Sequence, residues 1–382
     1  MSGSGGDRFM ARALKLAARG RGTTHPNPMV GAVIVKGGKV VGEGWHRRPG
    51  EAHAELLAIQ DAGRDARGAT LYVTLEPCAH HGRTPPCTEA ILQAGIVKVV
   101  ASSEDPHRLV AGKGFKVLEK AGVELIIGEG YEKARELNRA FFHFIREGTP
   151  YVTLKLASSL DGRIAAPDGS SKWITGERAR MSVHRMRAGA NAVLVGVGTV
   201  IADDPLLTAR GAGRKVQPYR IVLDPHLQTP VGSRIVQAAG DGRTVLAAAD
   251  DLPQARYEGM ERLGVRIMKL PAVGRRFKWG DFAGALIAED ILHLMVEGGS
   301  ATAAWFLRAG AVNRLELFLA PRLLGGAGVP SIGDIGITSL LQAPAWSLRG
   351  CRRVGDDVHL TADAPQAPPR SLRENPGITP TA

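Results

Sequence analysis

Apolar positions follow two different spacings along the chain, and the two spacings alternate from one stretch to the next. Residues 7–19 carry apolar side chains three and four positions apart, which predicts a helix with one buried face. Short apolar runs predict strands at 30–36, 39–45, 69–75, 97–101 and 123–127, and helical spacing returns at 53–63, 88–94, 114–121 and 132–145. This alternation predicts a sheet covered by helices.

The alternation resumes after Glu147-Gly148-Thr149-Pro150, which we interpret as the joint between two domains. Strands are predicted at 151–157, 192–197, 219–223, 244–248, 265–269, 293–297 and 314–319, with helices at 177–188 and 301–308. We therefore expect domains over 7–148 and 149–363. The Gly- and Ser-rich residues 1–6 and the Pro-rich tail 364–382 are predicted to be disordered.

Composition is that of a soluble globular protein and narrows the choice of partners. Of 382 residues, 44% are hydrophobic and 23% are charged, and this length suffices for two cores. The formal net charge of +12 would suit a polyanion, but the Lys and Arg residues are scattered and form no run of five. We expect a phosphorylated small-molecule substrate, which accounts for the charge equally well, and no nucleic-acid partner.

Cysteine content and apolar run length indicate the compartment. Three cysteines are too few for a disulfide framework. No apolar run reaches the ~18 residues that span a bilayer, and the N-terminus lacks the apolar segment of a secretory signal. The expectation is a cytoplasmic protein with no membrane partner.

One stretch combines the residues that a catalytic metal site requires. It contains His-Ala-Glu at 53–55 and cysteines at 78 and 87, each directly after a proline. His53, Cys78 and Cys87 can supply three zinc ligands and leave a fourth tetrahedral position for water. Glu55 is close enough to move protons without binding the metal. In zinc nucleobase deaminases a Glu acts in this way as general acid and base.

Two alternatives to this interpretation stay open. His80 and His81 could compete as ligands, although Cys78 and Cys87 already complete a set of three with His53. The cysteines are also separated by eight residues, rather than the two of the general deaminase signature, as two unrelated thiols in a surface loop would be.

A rigid turn precedes the first predicted strand. Pro26 and Pro28 force an extended turn that presents the side chain of Asn27. An exposed Asn in a turn is usually only a turn former. We assign Asn27 to the substrate site because the strands at 30–36 and 39–45 would deliver it towards the metal.

A glycine pair marks a candidate phosphate site in the second domain. Gly298 and Gly299 follow the predicted strand 293–297 and precede the predicted helix 301–308. Backbone N–H groups at such a turn can bind a phosphate. The signal is weak by itself, because Gly-Gly is common in plain turns and no G-x-G-x-x-G fingerprint opens either domain.

Together these residues resemble a known family, the bifunctional riboflavin-biosynthesis deaminase–reductases, from about residue 7 to residue 363. The similar segments of the first half are His25-Pro26-Asn27-Pro28-x-Val30-Gly31, His53-Ala54-Glu55 and Pro77-Cys78-x-His80-x-Gly82-Arg83-Thr84-Pro85-Pro86-Cys87, with the eight-residue cysteine spacing of this branch. Those of the second half are Lys155-Leu156-Ala157-x-Ser159-Leu160-Asp161-Gly162-Arg163, Trp173-Ile174-Thr175, Ala202-Asp203-Asp204-Pro205-x-Leu207-Thr208-x-Arg210 and Glu297-Gly298-Gly299. Residues 226–290 are similar only in their alternation of strands and helices.

The resemblance implies an α/β protein with a cytidine-deaminase-like three-layer α/β/α domain followed by a dihydrofolate-reductase-like α/β domain. It implies zinc-dependent deamination of 2,5-diamino-6-(5-phosphoribosylamino)pyrimidin-4-one. NADPH-dependent reduction of the ribosyl group of the product to ribityl follows. A homodimer is implied as well.

The resemblance also implies site residues. His53, Cys78 and Cys87 match the zinc ligands, and Glu55 the proton shuttle. Positions that match nucleotide contacts are Ala157, Trp173, Thr199, Asp203, Gly299, Ser300, Ala301, Thr302, Ala303, Ala304 and Trp305. Positions that match substrate contacts are Ser171, Arg187, Leu207, Arg210 and Glu297, the arginines being suited to a phosphate.

A hypothesis from a different class is a zinc deaminase of nucleic-acid bases with a non-catalytic, basic docking domain. Such a domain needs aromatic side chains interleaved with positive patches, and aromatics make up only 5% of the chain. Three of the implied residues also have ordinary interpretations, Trp173 as core, Arg187 as a solvated helix face and Asp203 as a turn cap.

Overall fold

The structure, a computed structural model, describes residues 5–80, 86–107, 110–211, 216–274 and 276–365. The chain divides into two compact units, of which the first runs to Gly148 and the second begins at Thr149.

The first unit is built on a five-stranded sheet in the order β2-β1-β3-β4-β5. Strand β1 is antiparallel to β2 and β3, whereas β3, β4 and β5 are parallel to one another. The strands are β1 (Gly31–Lys36), β2 (Lys39–Trp45), β3 (Thr70–Val73), β4 (Lys98–Ala101) and β5 (Glu124–Ile127). The helices are α1 (Gly5–Ala17), α2 (Ala54–Ala62), α3 (Cys87–Gln93), α4 (Lys113–Lys120), α5 (Tyr131–Leu137) and α6 (Arg139–Glu147).

Helices cover both faces of this sheet, because successive strand residues point to opposite sides. Ile34 packs with apolar residues of α2, α3 and α4, while its neighbours Val33 and Val35 pack with α1. Helix α2 lies especially close to β2, where a Cβ on Gly44 would clash with the carbonyl oxygen of Ala54. The three-layer α/β/α arrangement predicted for the first domain is confirmed.

Two predictions for the helices of this unit are wrong in detail. Helix α1 begins at Gly5, so Gly5 and Gly6, which lie in the segment 1–6 predicted to be disordered, are helical. The single helix predicted at 132–145 is two helices that meet at Asn138, whose φ is −104°. The buried Asn138 amide accepts the Met29 N–H and donates to the Met29 carbonyl, both at 2.8 Å. This pair of bonds favours a break in the helix and secures the turn that carries Asn27.

The second unit is built on a nine-stranded sheet in the order β11-β10-β9-β8-β14-β6-β15-β18-β17, parallel from β11 to β15 and antiparallel beyond. The strands of this sheet are β6 (Tyr151–Ser159), β8 (Ala192–Gly196), β9 (Tyr219–Leu223), β10 (Thr244–Ala249), β11 (Arg266–Leu270), β14 (His293–Val296), β15 (Arg314–Ala320), β17 (Ser347–Val354) and β18 (Asp357–Asp363). Two further pairs of short strands lie outside it, β7 (Arg163–Ala165) with β16 (Val329–Pro330) and β12 (Ala272–Val273) with β13 (Arg276–Phe277). The helices are α7 (Glu177–Gly189), α8 (Val197–Asp203), α9 (Arg234–Gln237), α10 (Gln254–Glu261), α11 (Trp279–Ala288) and α12 (Ser300–Arg308).

Helices lie on both faces of this sheet too. Leu194 of β8 packs with residues of α11 and α12, and its neighbours Val193 and Val195 pack with α8, α9 and α10. The chain proceeds from β6 outward to β11 and then returns to place β14 between β8 and β6. Ligands bind at the carboxyl ends of strands where the strand order reverses in this way.

The hairpin β17–β18 is among the elements that sequence patterning missed, together with the short strands β7, β12, β13 and β16 and the helices α8, α9, α10 and α11. Strand β17 is almost wholly exposed, and its residues show no alternation of apolar and polar positions. A strand of this kind is defined by its backbone pairing with a neighbouring strand, and β18 provides that antiparallel pairing.

Within the described residues, no helix combines the length and the apolar character needed to cross a bilayer.

Candidate functional site

The three predicted metal ligands meet in one place in the first unit. His53 is the N-cap of α2, Cys87 is the first residue of α3, and Cys78 lies in the loop after β3. The Nδ1 atom of His53 lies 3.2 Å from the Cys87 sulfur and 3.5 Å from the Cys78 sulfur. One ligand atom from each residue lies within 4.8 Å of the others.

This donor set fits zinc. With Zn–S near 2.3 Å and Zn–N near 2.0–2.1 Å, a tetrahedral ion separates its N and S ligands by about 3.6 Å, close to the observed spacings. Two thiolates and an imidazole are typical zinc ligands, and three of them leave the fourth position open. His53 Nδ1 and the sulfurs of Cys78 and Cys87 would hold the ion. His80 lies in the same loop, and residues 81–85, including His81, lie outside the described residues.

The residues around Cys78 favour its ionised thiolate, the form that binds a metal. Hydrogen bonds from Cys87 and from His53 lower the pKa of Cys78, against the opposing effect of burial. The same bond to Cys78 raises the pKa of His53 to about 8. The hydrogen bond with Cys78, and secondly burial, raise the pKa of Cys87. The cluster therefore favours a thiolate at Cys78 over one at Cys87.

Glu55 is buried in the first turn of α2, with 3% of its surface exposed. Burial, and secondly the charge of Cys78, raise its pKa to about 7. A carboxyl group with a pKa near neutrality can both give and take a proton during one reaction, as a general acid–base catalyst must.

Asn27 contacts this site through a residue that sequence reasoning missed. Its amide Nδ2 lies 3.2 Å from Nε2 of His46, and the His46 ring packs edge-on against the ring of His53, with 5.5 Å between centroids. Burial lowers the pKa of His46, so the ring is held neutral. The sequence offered one signal, a histidine directly after β2, and that signal is too common to be used alone.

The second unit has a candidate nucleotide-binding edge at the carboxyl ends of β8 and β14. These adjacent strands lead into α8 and α12, whose N-caps are Gly196 and Gly299. A Cβ on Gly298 would lie 2.6 Å from Thr302 Cβ, and one on Gly299 would lie 3.3 Å from Thr199 Oγ1. The glycine turns before α8 and α12 thus lie close together, and backbone N–H groups at such turns are suited to a phosphate.

The side chains of the predicted segment 299–305 divide between this edge and the core. Ala303 and Ala304 are buried in the core, and the Trp305 indole packs against aromatic residues while donating to the Phe277 carbonyl at 3.3 Å. Contacts of these three residues with a nucleotide would therefore come from their backbone. Ser300, Ala301 and Thr302 form the first turn of α12, and the Thr302 side chain lies against Gly298.

A buried charge cluster lies beside the same edge. Arg187 donates from Nε and Nη2 to the two carboxylate oxygens of Glu297, at 2.5 and 2.9 Å. Burial opposes the charge of Glu297, but Arg187 outweighs it and lowers the pKa of Glu297. Lys155, which sequence reasoning did not assign to the site, lies 3.8 Å from Glu297, and burial lowers its pKa. Arg187 is not a solvated helix residue.

The turn at Leu207–Arg210 is held by helix α7. Leu207 is buried with φ at +52°, a left-handed conformation that costs free energy in a non-glycine residue and often occurs at functional sites. Arg187 Nη1 and His184 Nδ1 each lie 3.0 Å from the Thr208 carbonyl. The guanidinium of Arg210 donates to Thr208 Oγ1 at 3.1 Å. Three predicted substrate residues are thus close together, and His184 joins them.

The remaining predicted residues lie along the same side. Ser171 donates to Asp203 Oδ1 at 3.1 Å, so these two meet. Trp173 is 63% exposed under the Arg180 guanidinium, which is inconsistent with a core residue. Ala157 lies three residues beyond Leu154, the partner of Val296, and therefore at the same carboxyl edge.

Comparison with known proteins identifies the family of both units. Residues 5–103 match the cytidine and deoxycytidylate deaminase zinc-binding region, and residues 150–360 match the RibD C-terminal domain. The riboflavin biosynthesis protein RibD of Aquifex aeolicus is 45% identical over 350 residues, which cover 92% of this chain and 96% of that protein. The chain belongs to the RibD family.

Solved structures of the family have the same architecture. RibD of Acinetobacter baumannii, form 1, superimposes with a TM-score of 0.84 at 36% identity, over 95% of this chain and 99% of that one. A structure from Thermotoga maritima, described as a diaminohydroxyphosphoribosylaminopyrimidine deaminase/5-amino-6-(5-phosphoribosylamino)uracil reductase, gives 0.83 at 34% identity, over 94% and 98%.

Family membership confirms the predicted fold class and activity. The protein is a bifunctional enzyme of riboflavin biosynthesis, with a zinc-dependent deaminase and an NADPH-dependent reductase. The resemblance read from the sequence is thereby confirmed. The individual site residues, apart from their positions, stay predictions.

Proposed function

We propose that residues 7–148 deaminate 2,5-diamino-6-(5-phosphoribosylamino)pyrimidin-4-one, and that residues 149–363 reduce the ribosyl group of the product, 5-amino-6-(5-phosphoribosylamino)uracil, to ribityl. The observation that carries the first assignment is the cluster of His53, Cys78 and Cys87 with buried Glu55 beside it. The substrate is that of the Thermotoga maritima relative.

In the deaminase, His53, Cys78 and Cys87 would hold zinc, which would supply an activated water. Glu55 would carry a proton to the departing amino group, so that water replaces the amino group with the ring carbonyl of the uracil and ammonia leaves. The burial of Glu55 beside the three ligands supports its role as the proton carrier. Asn27, backed by His46, orients the pyrimidine ring through its amide.

In the reductase, the hydride comes from NADPH, so the protein binds and orients rather than supplying a reactive group. The turns that lead into α8 and α12 bind the nucleotide phosphates, with Thr199 and Gly299 at the closest approach. Ala157, Trp173 and Asp203 line the same side. Arg187 and Arg210 bind the substrate phosphate, with Glu297, Leu207 and Ser171 as further substrate contacts.

We further propose that the protein works as a cytoplasmic homodimer, joined through its second unit. Support comes from the edge strand β17 and the turn before it, where Leu340, Leu341 and Leu348 are 89%, 97% and 65% exposed. An exposed strand edge with apolar side chains is suited to pairing with another copy. Sedimentation of wild-type protein and of Leu341→Asp tests this, and a monomeric wild type would refute it.

The two activities are separated by mass-resolved incubation of zinc-loaded protein with the diaminopyrimidine substrate. Without NADPH, the substrate should gain about one mass unit as an amino group is replaced by oxygen. With NADPH, about two further units should follow. A gain of only the first kind would refute the assignment of the reductase, and no change with zinc present would favour a nucleic-acid substrate.

A further inference from the structure

We propose that Glu76 is a positioning residue for the metal site, because its buried carboxylate binds the loop that carries Cys78 to the backbone of Asp105, Gly112 and Gly114. The inference rests on the proposed zinc site and extends it to a residue that is neither ligand nor proton shuttle. Glu76 belongs to the same loop, two positions before Cys78.

The carboxylate of Glu76 is 5% exposed and accepts three backbone N–H groups. Oε2 accepts from Asp105 at 3.0 Å and from Gly112 at 2.9 Å, and Oε1 accepts from Gly114 at 2.8 Å. Hydrogen bonds to an ionised acceptor are roughly twice as strong as neutral ones. Three such bonds to groups at least 29 residues away fix the end of β3 against the start of α4.

Pro77 transmits this constraint to Cys78. The proline ring restricts the backbone between the two residues. On its other side, a Cβ on Gly114 would clash with the Pro77 carbonyl oxygen, so this peptide is packed directly on the first turn of α4. Little freedom is left for the Cα position of Cys78.

Cys78 in turn positions the second cysteine. Its sulfur accepts the Cys87 N–H at 3.3 Å, and its carbonyl accepts the Thr88 N–H at 3.2 Å. A displacement of Cys78 would therefore move the start of α3, and both sulfurs together would shift relative to His53. The spacing that suits zinc depends on this chain of contacts from Glu76.

The second unit offers a matched control. Asp224 is a fully buried carboxylate in a loop after a strand, as Glu76 is. It also accepts three hydrogen bonds, from Gln228 N at 2.9 Å and from the N–H and hydroxyl of Thr229 at 2.7 Å each. Asp224→Asn thus removes a comparable buried charge without contact to the metal site.

The test is the rate at which full-length, zinc-loaded protein releases zinc to a chromogenic chelator. Glu76→Gln leaves one of the three N–H groups opposite an amide NH₂, and zinc release should become about tenfold faster, the effect of losing an orienting partner of a metal site. Asp224→Asn should release zinc at the wild-type rate. The cobalt-substituted Glu76→Gln protein should show shifted visible absorption bands, since the ligand geometry changes.

A wild-type release rate and cobalt spectrum in Glu76→Gln, with only a lower melting temperature, would overturn the proposal and leave Glu76 a general stabiliser. Gly114→Ala serves as the second variant if Glu76→Gln does not fold, because its Cβ would displace the Pro77 carbonyl and crowd Glu76 Oε1 while the Glu76 side chain itself is kept. Failure of wild-type protein to bind zinc would overturn the proposed deaminase site and this inference with it. Normal zinc binding with normal variants overturns the inference alone.

Discussion

The two units of the protein assemble their sites in opposite ways. In the deaminase unit, His53, Glu55, Cys78 and Cys87 come from 35 consecutive residues and two helix N-termini. In the reductase unit, the predicted residues extend from Ala157 to Trp305 and meet only at the carboxyl edge of a nine-stranded sheet.

The difference follows from where the chemistry comes from. A deaminase must itself supply the metal ligands and the proton carrier, and those roles demand particular side chains at close range. A reductase receives its hydride from the nucleotide, so its residues bind and orient, and backbone or varied side chains suffice. The compact deaminase site can therefore be predicted from the sequence, whereas the dispersed reductase site is assembled only by the fold.

Glu55→Gln should give the largest effect, and it should affect the deaminase activity alone. Gln has the size of Glu but cannot carry the proton, so deamination should fall by about 10²–10⁴-fold. Zinc content should be unchanged, because Glu55 is not a ligand. Ammonia release and metal analysis measure both, and reduction of the deaminated intermediate on the same preparation is the control. Normal ammonia release would refute the assigned role.

Glu297→Gln should be the most damaging single change to the reductase unit. It leaves Arg187 and Lys155 without their buried partner, which should cost about 3–5 kcal/mol of unfolding free energy. Urea unfolding followed by tryptophan fluorescence reports mainly on this unit, which holds all the tryptophans except Trp45.

The same pair predicts a pH dependence. Because the pKa of Glu297 is lowered in the folded state, its stabilising contribution is present above the ordinary pKa of Glu and is lost as the pH falls through the lowered value.

The control for Glu297→Gln is Glu289→Gln, which removes the exposed ion pair with Arg266 and should cost below about 1 kcal/mol of unfolding free energy. Equal losses in the two variants would contradict the importance of the buried cluster.

Asn138→Ala should weaken the deaminase unit by about 1–3 kcal/mol, the cost of leaving buried polar groups unpaired. Both Met29 backbone groups lose their partner. Hydrogen exchange at the Met29 amide is a direct measurement, and it should accelerate. The exposed Gln93→Ala serves as the control and should change exchange at Met29 little, and unaltered Met29 exchange in Asn138→Ala would contradict the predicted role.

His184 gives the smallest and most specific prediction. The amide nitrogen of Asn reaches about as far as Nδ1 of His, so His184→Asn should keep the bond to the Thr208 carbonyl. His184→Gln should lose it and raise the KM of the reductase substrate about fivefold, the value of one hydrogen bond. The KM for NADPH should stay constant in both variants. Identical substrate KM values in Asn and Gln variants would exclude the Nδ1 contact.

Sequence patterning located most of the elements and identified the residues of the proposed metal site. Apolar spacing placed the strands β2 and β9 to the residue, because short apolar runs are typical of strands. The zinc set was identifiable because ligand identity and loop spacing are properties of a short segment. The family resemblance rested on such segments in both halves.

Only the tertiary structure decided which distant polar groups meet. Arg187 and Glu297 are 110 residues apart and pair because β14 returns to the centre of the sheet beside β8. Asn138 interrupts a helix of good local pattern because it bonds to Met29, 109 residues away. Neither Glu76 nor His46 carries a local signal strong enough to use alone, since a buried polar residue is defined by the partners that the fold brings to it.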